Sequence, residues 1–495
     1  MFDFDINRIL SLFEYDRSAP MIFSSGFFLF LFLAFILLYV PMQGNRKVRM
    51  IYVTLFSYFF YYKSSGFYFI LLFIASICDF LLAKEIYKSE GKRHRKLLLI
   101  LSLAVNLGIL CYFKYTNFFY ELWCDLSKSP FDPLNIFLPV GISFFTFQSM
   151  SYTIDIYRKG IKPVSRFLDY AFYVSFFPQL VAGPIVRAKD FLPQIDRPLI
   201  VTREMFGRGI FLIIIGLFKK AVISDYISIN FVDRIFDNPG FYSGIENLFG
   251  IYGYALQIYC DFSGYSDMAI GIALLLGFHF NINFDSPYKS ATITEFWRRW
   301  HISLSTWLRD YLYISLGGNR KGKIRTYINL MITMLLGGLW HGASLRFVCW
   351  GALHGIALAL HKLVMTIFPF LKADGSKMSR IPRILGILFT FHLVCFGWIF
   401  FRANSFHSAI EMMNRITGSF HPELFIQLIQ GYPAIFALMG IGFFLHFTPK
   451  SWEDACLRKT IAMPLFLKAV ALAVVIIIVM QIKSSDIQPF IYFKF

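Results

Sequence analysis

Charge is scarce in this sequence. Only 16% of its 495 residues are charged, 57% are hydrophobic, and the mean hydropathy is +0.58. A soluble domain carries about 25% charged residues, so this chain lacks the polar surface to face water on all sides. Cysteine is sparse too. The seven cysteines (Cys78, Cys111, Cys124, Cys260, Cys349, Cys395 and Cys456) show no CxxC or Cys/His ligand spacing, which indicates neither a disulfide framework nor a metal site. No cleavable leader is expected, because no small-residue cleavage site follows the first apolar run. GxxxxGK[ST], GxSxG, HExxH and a usable GxGxxG are missing, so the familiar P-loop, serine-hydrolase, zincin and dinucleotide-binding chemistries have no motif to stand on. Acidic residues are the scarcer sign, leaving a formal net charge of +18. In a soluble protein that excess would suggest nucleic acid. In a membrane protein it reflects cytoplasmic loops held against anionic lipid, and no nucleic-acid partner is expected.

What is abundant is apolar sequence in long runs. The clearest lie at 21–40, 66–83, 97–113, 137–156, 169–186, 209–224, 326–341, 346–366, 383–401, 431–447 and 463–481, with shorter ones at 50–62, 247–259 and 266–278. A full span needs about 20 residues, so the pattern predicts an all-α polytopic membrane protein with about 11 transmembrane helices plus partial, re-entrant and amphipathic ones. No linker is long enough to separate soluble domains. A single membrane-embedded domain over 21–495 is expected, with an interfacial extension at 1–20. Loops 41–49, 84–96 and 158–168 hold 13 Lys and Arg, whereas 63–65 and 114–136 hold three. That bias puts the basic loops in the cytoplasm and the N-terminus outside the cell membrane.

Polar groups inside apolar runs are costly in lipid and normally face a cavity or a partner. In LLGGLWHGA, His341 follows Trp340 and is flanked by Gly337, Gly338 and Gly342, which thin the helix and allow close approach of a backbone or ligand. Arg346 and His354 follow in the next apolar run. A neutral imidazole there could take a proton from a hydroxyl; the plainer alternative is a buried histidine satisfied by a carbonyl. Segment 292–316 reads as one helix with Trp297, Trp300, His301, Leu304 and Leu308 on its apolar face, which turns His301 inward. Taken alone it would also suit an interfacial amphipathic helix.

Other interruptions are less specific. Asp261, Ser263, Gly264 and Asp267 suggest a helix break lining a cavity, with Ser263 capping the second half. Pro178, Gly183 and Pro184 break a span just before Arg187. Gly317–Lys323 forms a basic, glycine-rich turn in which Arg320, Lys321 and Lys323 could meet phosphate, or simply obey the charge bias of a cytoplasmic loop.

These strings together resemble the membrane-bound O-acyltransferase family. EFWRRWHISLSTWLRDYLYISLGGNR (295–320), LLGGLWHGAS (335–344) and GALHG (351–355) carry the resemblance, which is strongest to the bacterial branch that includes alginate O-acetyltransferase subunit I and, further off, the teichoic acid D-alanyl transfer protein. PVGISFFTFQSMSYTIDIYR (139–158), FFPQLVAGPIVR (176–187) and QIYCDFSGYSDMAIGIALLLGF (257–278) are similar to the same branch. The likeness runs from Met21 to Phe401, with its core over 139–401; the residues before Met21 depart from the usual start.

The resemblance implies His341 as the essential catalytic histidine and His301 as the second. It implies a ring of helices around a central tunnel, for which Trp340, Trp300, Trp297, Asp261, Ser263, Arg346 and His354 are the candidate lining residues in this sequence. The acyl group, expected to be acetyl, would arrive on cytoplasmic acetyl-CoA or an acyl carrier protein thioester, with no bound cofactor and no metal. It would leave on an extracytoplasmic polysaccharide or cell-wall polymer through a periplasmic acetyltransferase partner. Transfer of an acyl group from thioester to hydroxyl needs a base and a stabilised carbonyl oxygen. His341 is expected as the base, and His301 as a group that orients the acceptor or donates to the oxyanion. A proton-coupled transporter using the broken helices, or a scaffold that recruits an acylating partner, are the alternatives.

Overall fold

The computed structural model describes residues 10–17, 19–368 and 379–482. The expected extension at 1–20 therefore falls partly outside the described residues. Helices account for all the regular structure among the described residues, with no strand. Two compact units emerge. The first gathers the described residues up to Ile210 with Met268–Asn281, and the second gathers Phe211–Asp267 and Ile282 onward.

In the first unit, α1 (Gly26–Met42), α2 (Arg46–Ser65), α3 (Phe69–Lys88), α4 (Lys92–Leu110) and α5 (Ile142–Tyr157) carry the apolar runs. Ser25 caps α1 by accepting from the Phe28 N–H. Phe177 sits among Phe23, Phe28, Phe32, Phe35, Phe56 and Phe60, with ring centroids 5.0–6.4 Å away. Asp79 of α3 is fully buried, so it must be paired. Asn106 and Ser102 of α4 donate to it at 2.8–2.9 Å, and Ser102 also reaches Thr153 of α5. One polar knot thus fixes three apolar helices. The chain breaks at Pro178–Pro184 as the sequence predicts, and every residue from Asp169 to Ala188 around that break is buried.

The second unit holds α6 (Gly244–Leu275 in the chain, of which residues to Asp267 belong here), α7 (Ile293–Arg299), α8 (Ile302–Trp307), α9 (Lys323–His341), α10 (Leu345–Ile367) and α11 (Arg380–Arg402). The break expected around Asp261 and Ser263 is absent: α6 runs through it without interruption, and Ser263 caps nothing. The physical reason is charge pairing across space. Lys220 is held between Asp225 (2.7 Å) and Asp261, and Lys219 binds Asp267 at 2.7 Å. Neutralised in this way, the acids need no helix end to solvate them.

α9 and α10 form a tight antiparallel hairpin. A Cβ on Gly338 would overlap the Phe347 carbonyl oxygen, and one on Gly351 would overlap that of Met334. The glycines therefore bring two backbones together. By length and composition, four stretches can cross a membrane: Arg46–Lys88, Lys92–Ser127, Leu345–Ile367 and Arg380–Arg402. A fifth follows if Pro422–Gly431 and Pro433–Phe447, bent by 99°, count as one. Several of the other apolar runs fold as shorter or broken helices, whereas 247–259 and most of 266–278 lie within the uninterrupted α6 and 326–341 within α9.

Candidate active site

The one long helix expected over 292–316 is broken at Trp300 and His301. His301 adopts the left-handed region (φ 41°, ψ 56°), between α7 and α8, and residues 308–313 continue as a wider π-helical turn. Such a break leaves main-chain groups that lipid cannot satisfy. The neighbouring segment 283–285 satisfies them. The Ile302 N–H donates to the Asn283 carbonyl (2.9 Å), and the Asp285 N–H donates to that of Arg299 (3.0 Å). The inward placement of His301 survives the break, and its side chain is fully buried.

Asn283 does more than receive the backbone. Its Oδ1 accepts from the Ser303 N–H (3.1 Å) and Ser303 Oγ (2.9 Å), and lies 3.2 Å from His301 Nδ1. The Ser303 N–H can only donate, which identifies that Asn283 atom as the oxygen. His301 Nδ1 must then carry the proton. In the neutral ring Nε2 is therefore the unprotonated nitrogen, a hydrogen-bond acceptor. Asn283 Nδ2 donates in turn to Ser266 Oγ at 3.1 Å.

His341 is the last residue of α9 and is buried. Its ring lies between those of Trp340 (5.0 Å), Trp350 (5.0 Å) and Phe401 (5.3 Å). A Cβ on Gly342 would strike the Phe347 ring, so glycine there lets the chain turn immediately after the histidine. The centroids of His341 and His301 are 6.5 Å apart, and Trp340 lies 5.9 Å from His301. Two histidines separated by 40 positions in the chain thus share one aromatic enclosure.

The other predicted residues divide. Trp300 is buried against Trp398 and Phe296 behind His301. Trp297 and His354 meet at 5.2 Å and both contact Trp350. Arg346 is half-buried at the start of α10, its guanidinium 5.8 Å from the Phe347 ring. Asp261 belongs to the Lys220 cluster, and Ser263 is buried in mid-helix. Arg320, Lys321 and Lys323 are exposed on a turn whose Gly317, Gly318 and Gly322 all take positive φ. Among the described residues, no group of three or more His, Cys, Asp or Glu is placed to hold a metal.

Residues 157–405 match the model of the membrane-bound O-acyltransferase family. The chain is 37% identical to a peptidoglycan O-acetyltransferase of Helicobacter pylori, covering 83% of this chain and 82% of that protein. It is 42% identical to the probable alginate O-acetylase AlgI of Pseudomonas aeruginosa, over 79% and 74% of the two chains. A teichoic acid D-alanyltransferase of Bacillus subtilis is 30% identical over 59% of this chain and 75% of that one. The chain belongs to the membrane-bound O-acyltransferase family. It is an O-acyltransferase and a multi-pass membrane protein, and both histidines lie within the matched region.

Sequence reasoning missed Asn283, Trp350 and Lys220. For Asn283 the only local signal is the polar alternation of Asn281 and Asn283 in a non-helical stretch ahead of Pro287.

Proposed function

We propose that this O-acyltransferase carries an acetyl group from a cytoplasmic pantetheine thioester, acetyl-CoA or an acetylated carrier protein, to a hydroxyl of an extracytoplasmic polysaccharide or cell-wall polymer. The observation that carries this reading is the enclosure of His301 and His341 in one buried aromatic cluster, their rings 6.5 Å apart. In the proposed step His341 takes the proton of the acceptor hydroxyl as its oxygen bonds to the thioester carbon. The C–S bond then breaks, and the proton passes to the departing thiolate. With Nδ1–H committed to Asn283, a neutral His301 accepts rather than donates. It therefore suits orientation of the acceptor hydroxyl better than stabilisation of the oxyanion.

The names of the relatives support an acetyl group and a polymer acceptor. The basic turn Arg320–Lys323 would meet donor phosphates at the cytoplasmic face of the cell membrane, with the N-terminus outside and a periplasmic partner completing delivery. The reading is tested with protein in nanodiscs, radiolabelled acetyl donors, and alginate or peptidoglycan as acceptor, with and without an extracytoplasmic acetyltransferase. Alkali-labile label on either polymer supports it. Donor consumption with label recovered only on lipid would contradict the acceptor class.

A further inference from the structure

The first unit carries a half-enclosed cavity of about 460 Å³ that the proposed step does not use. That volume is in the range of small-ligand sites. One wall is the loop 161–165, and the other is the helix Ala188–Ile195 with Asp196 after it. Neighbouring helices pin both walls. The Val164 N–H donates to the Tyr152 hydroxyl of α5 (3.1 Å), and Lys84 Nζ of α3 donates to the Ser165 carbonyl (2.9 Å). Arg46, the first residue of α2, ties the two sides together. It donates to Asp169 (3.0 Å), Asp196 (2.8 Å) and the Ile195 carbonyl (3.3 Å).

The charges around this cavity do not satisfy one another. Its two acids, Asp169 and Asp196, are both committed to Arg46. Lys162 stands on the loop wall and Lys189 on the helix wall. Both are exposed, and neither has a hydrogen bond or ion pair among the described residues. Two unpaired ammonium groups flanking one hollow suit an anion, and phosphate above all. Ile161, Val164 and Leu192 add apolar lining. A soluble phosphate has no use for such lining, whereas a glycerophospholipid joins its phosphodiester to an apolar tail.

Position points to the same source. α2 and α3 expose Leu55, Ile74 and Leu81, as helices that face lipid do. Arg46–Lys88 is apolar enough to cross a membrane, and Arg46 and Lys84 lie close to its two ends, yet both hold this cavity. The hollow is therefore level with the ends of lipid-facing helices, where headgroup phosphates lie. It also stands among the basic loops 41–49, 84–96 and 158–168, on the side that the charge bias assigns to the leaflet rich in anionic lipid. We propose that Lys162 and Lys189 bind the headgroup phosphate of an anionic phospholipid seated in this cavity. The proposal does not depend on the acyl-transfer reading above.

The test uses the full chain in detergent, with retained lipid read by native mass spectrometry. Phosphatidylglycerol and phosphatidylcholine of matched acyl chains are offered in equal amounts, and the native chain should retain the first in preference. A lysine near an anionic headgroup contributes about fivefold, so Lys162→Gln combined with Lys189→Gln should cut that preference about thirtyfold. Lys162→Arg with Lys189→Arg keeps both charges and should keep the preference. Because both lysines are exposed and unpaired, the glutamine pair should leave the thermal midpoint of the lipid-free chain unchanged. Lys92→Gln with Arg93→Gln removes two exposed cations at the start of α4, outside the cavity, and should leave the preference intact. Equal retention of the two lipids by the native chain would overturn the site. So would an equal fall in the Lys92/Arg93 variant, which would assign the preference to diffuse surface charge. Displacement of the lipid by excess inorganic phosphate would overturn it as well, by making the ligand a soluble phosphate.

Discussion

Asn283 shows how a single amide can set the chemistry of a histidine. Its oxygen accepts from the Ser303 N–H and hydroxyl, which leaves His301 Nδ1 to donate and Nε2 to accept. Asn283→Ala should therefore lower kcat about tenfold or more with little change in KM for donor, measured by thiol release, because ring orientation and tautomer are lost while the binding groups remain. His341 and His301 were legible in the sequence for a physical reason. Imidazoles inside apolar runs are expensive in lipid, and they stand out for that reason. Asn283 was not legible, because its importance arises only when the 283–285 segment lies beside a helix break 18 residues further on.

Among the elements, the sequence pattern succeeded where periodicity was local and failed where a partner intervened. The glycines around His341 pointed to close approach, and α9 and α10 do meet through Gly338 and Gly351. Gly338→Ala should push against the Phe347 carbonyl and cost about 1–3 kcal/mol, seen as a lower thermal midpoint in detergent. The apolar face over 292–316 was read as one helix, yet segment 283–285 pays for a break by taking over its backbone hydrogen bonds. Conversely, the break expected near Asp261 never forms, because Lys219 and Lys220 neutralise acids more than 40 positions away. Lys220→Met should destabilise the fold by about 3–5 kcal/mol, since it strands two buried carboxylates. Adding Asp225→Asn and Asp261→Asn to that variant should recover much of the loss in the same unfolding assay.

For the whole molecule, the all-helical, membrane-embedded class followed from composition and apolar runs alone. By length and composition, four stretches, or five with the bent pair, qualify as spans among the described residues. A hydropathy window counts apolar residues and is blind to the prolines, glycines and π-helical turns that shorten helices among the described residues. Orientation is a separate matter of loop charge. A cysteine placed at Lys321 should react with an impermeant maleimide only in inside-out vesicles; labelling in right-side-out vesicles would reverse the proposed direction of transfer.

The most direct measurement is thiol release from acetyl-CoA and from acetylated carrier protein, with acceptor present, by the native chain and by His341→Ala of matched thermal stability. Loss of about 10²–10⁴-fold in rate is expected from removing the general base. Equal rates from the two proteins would contradict the assignment of His341 and, with it, the account of how this enclosure transfers an acyl group.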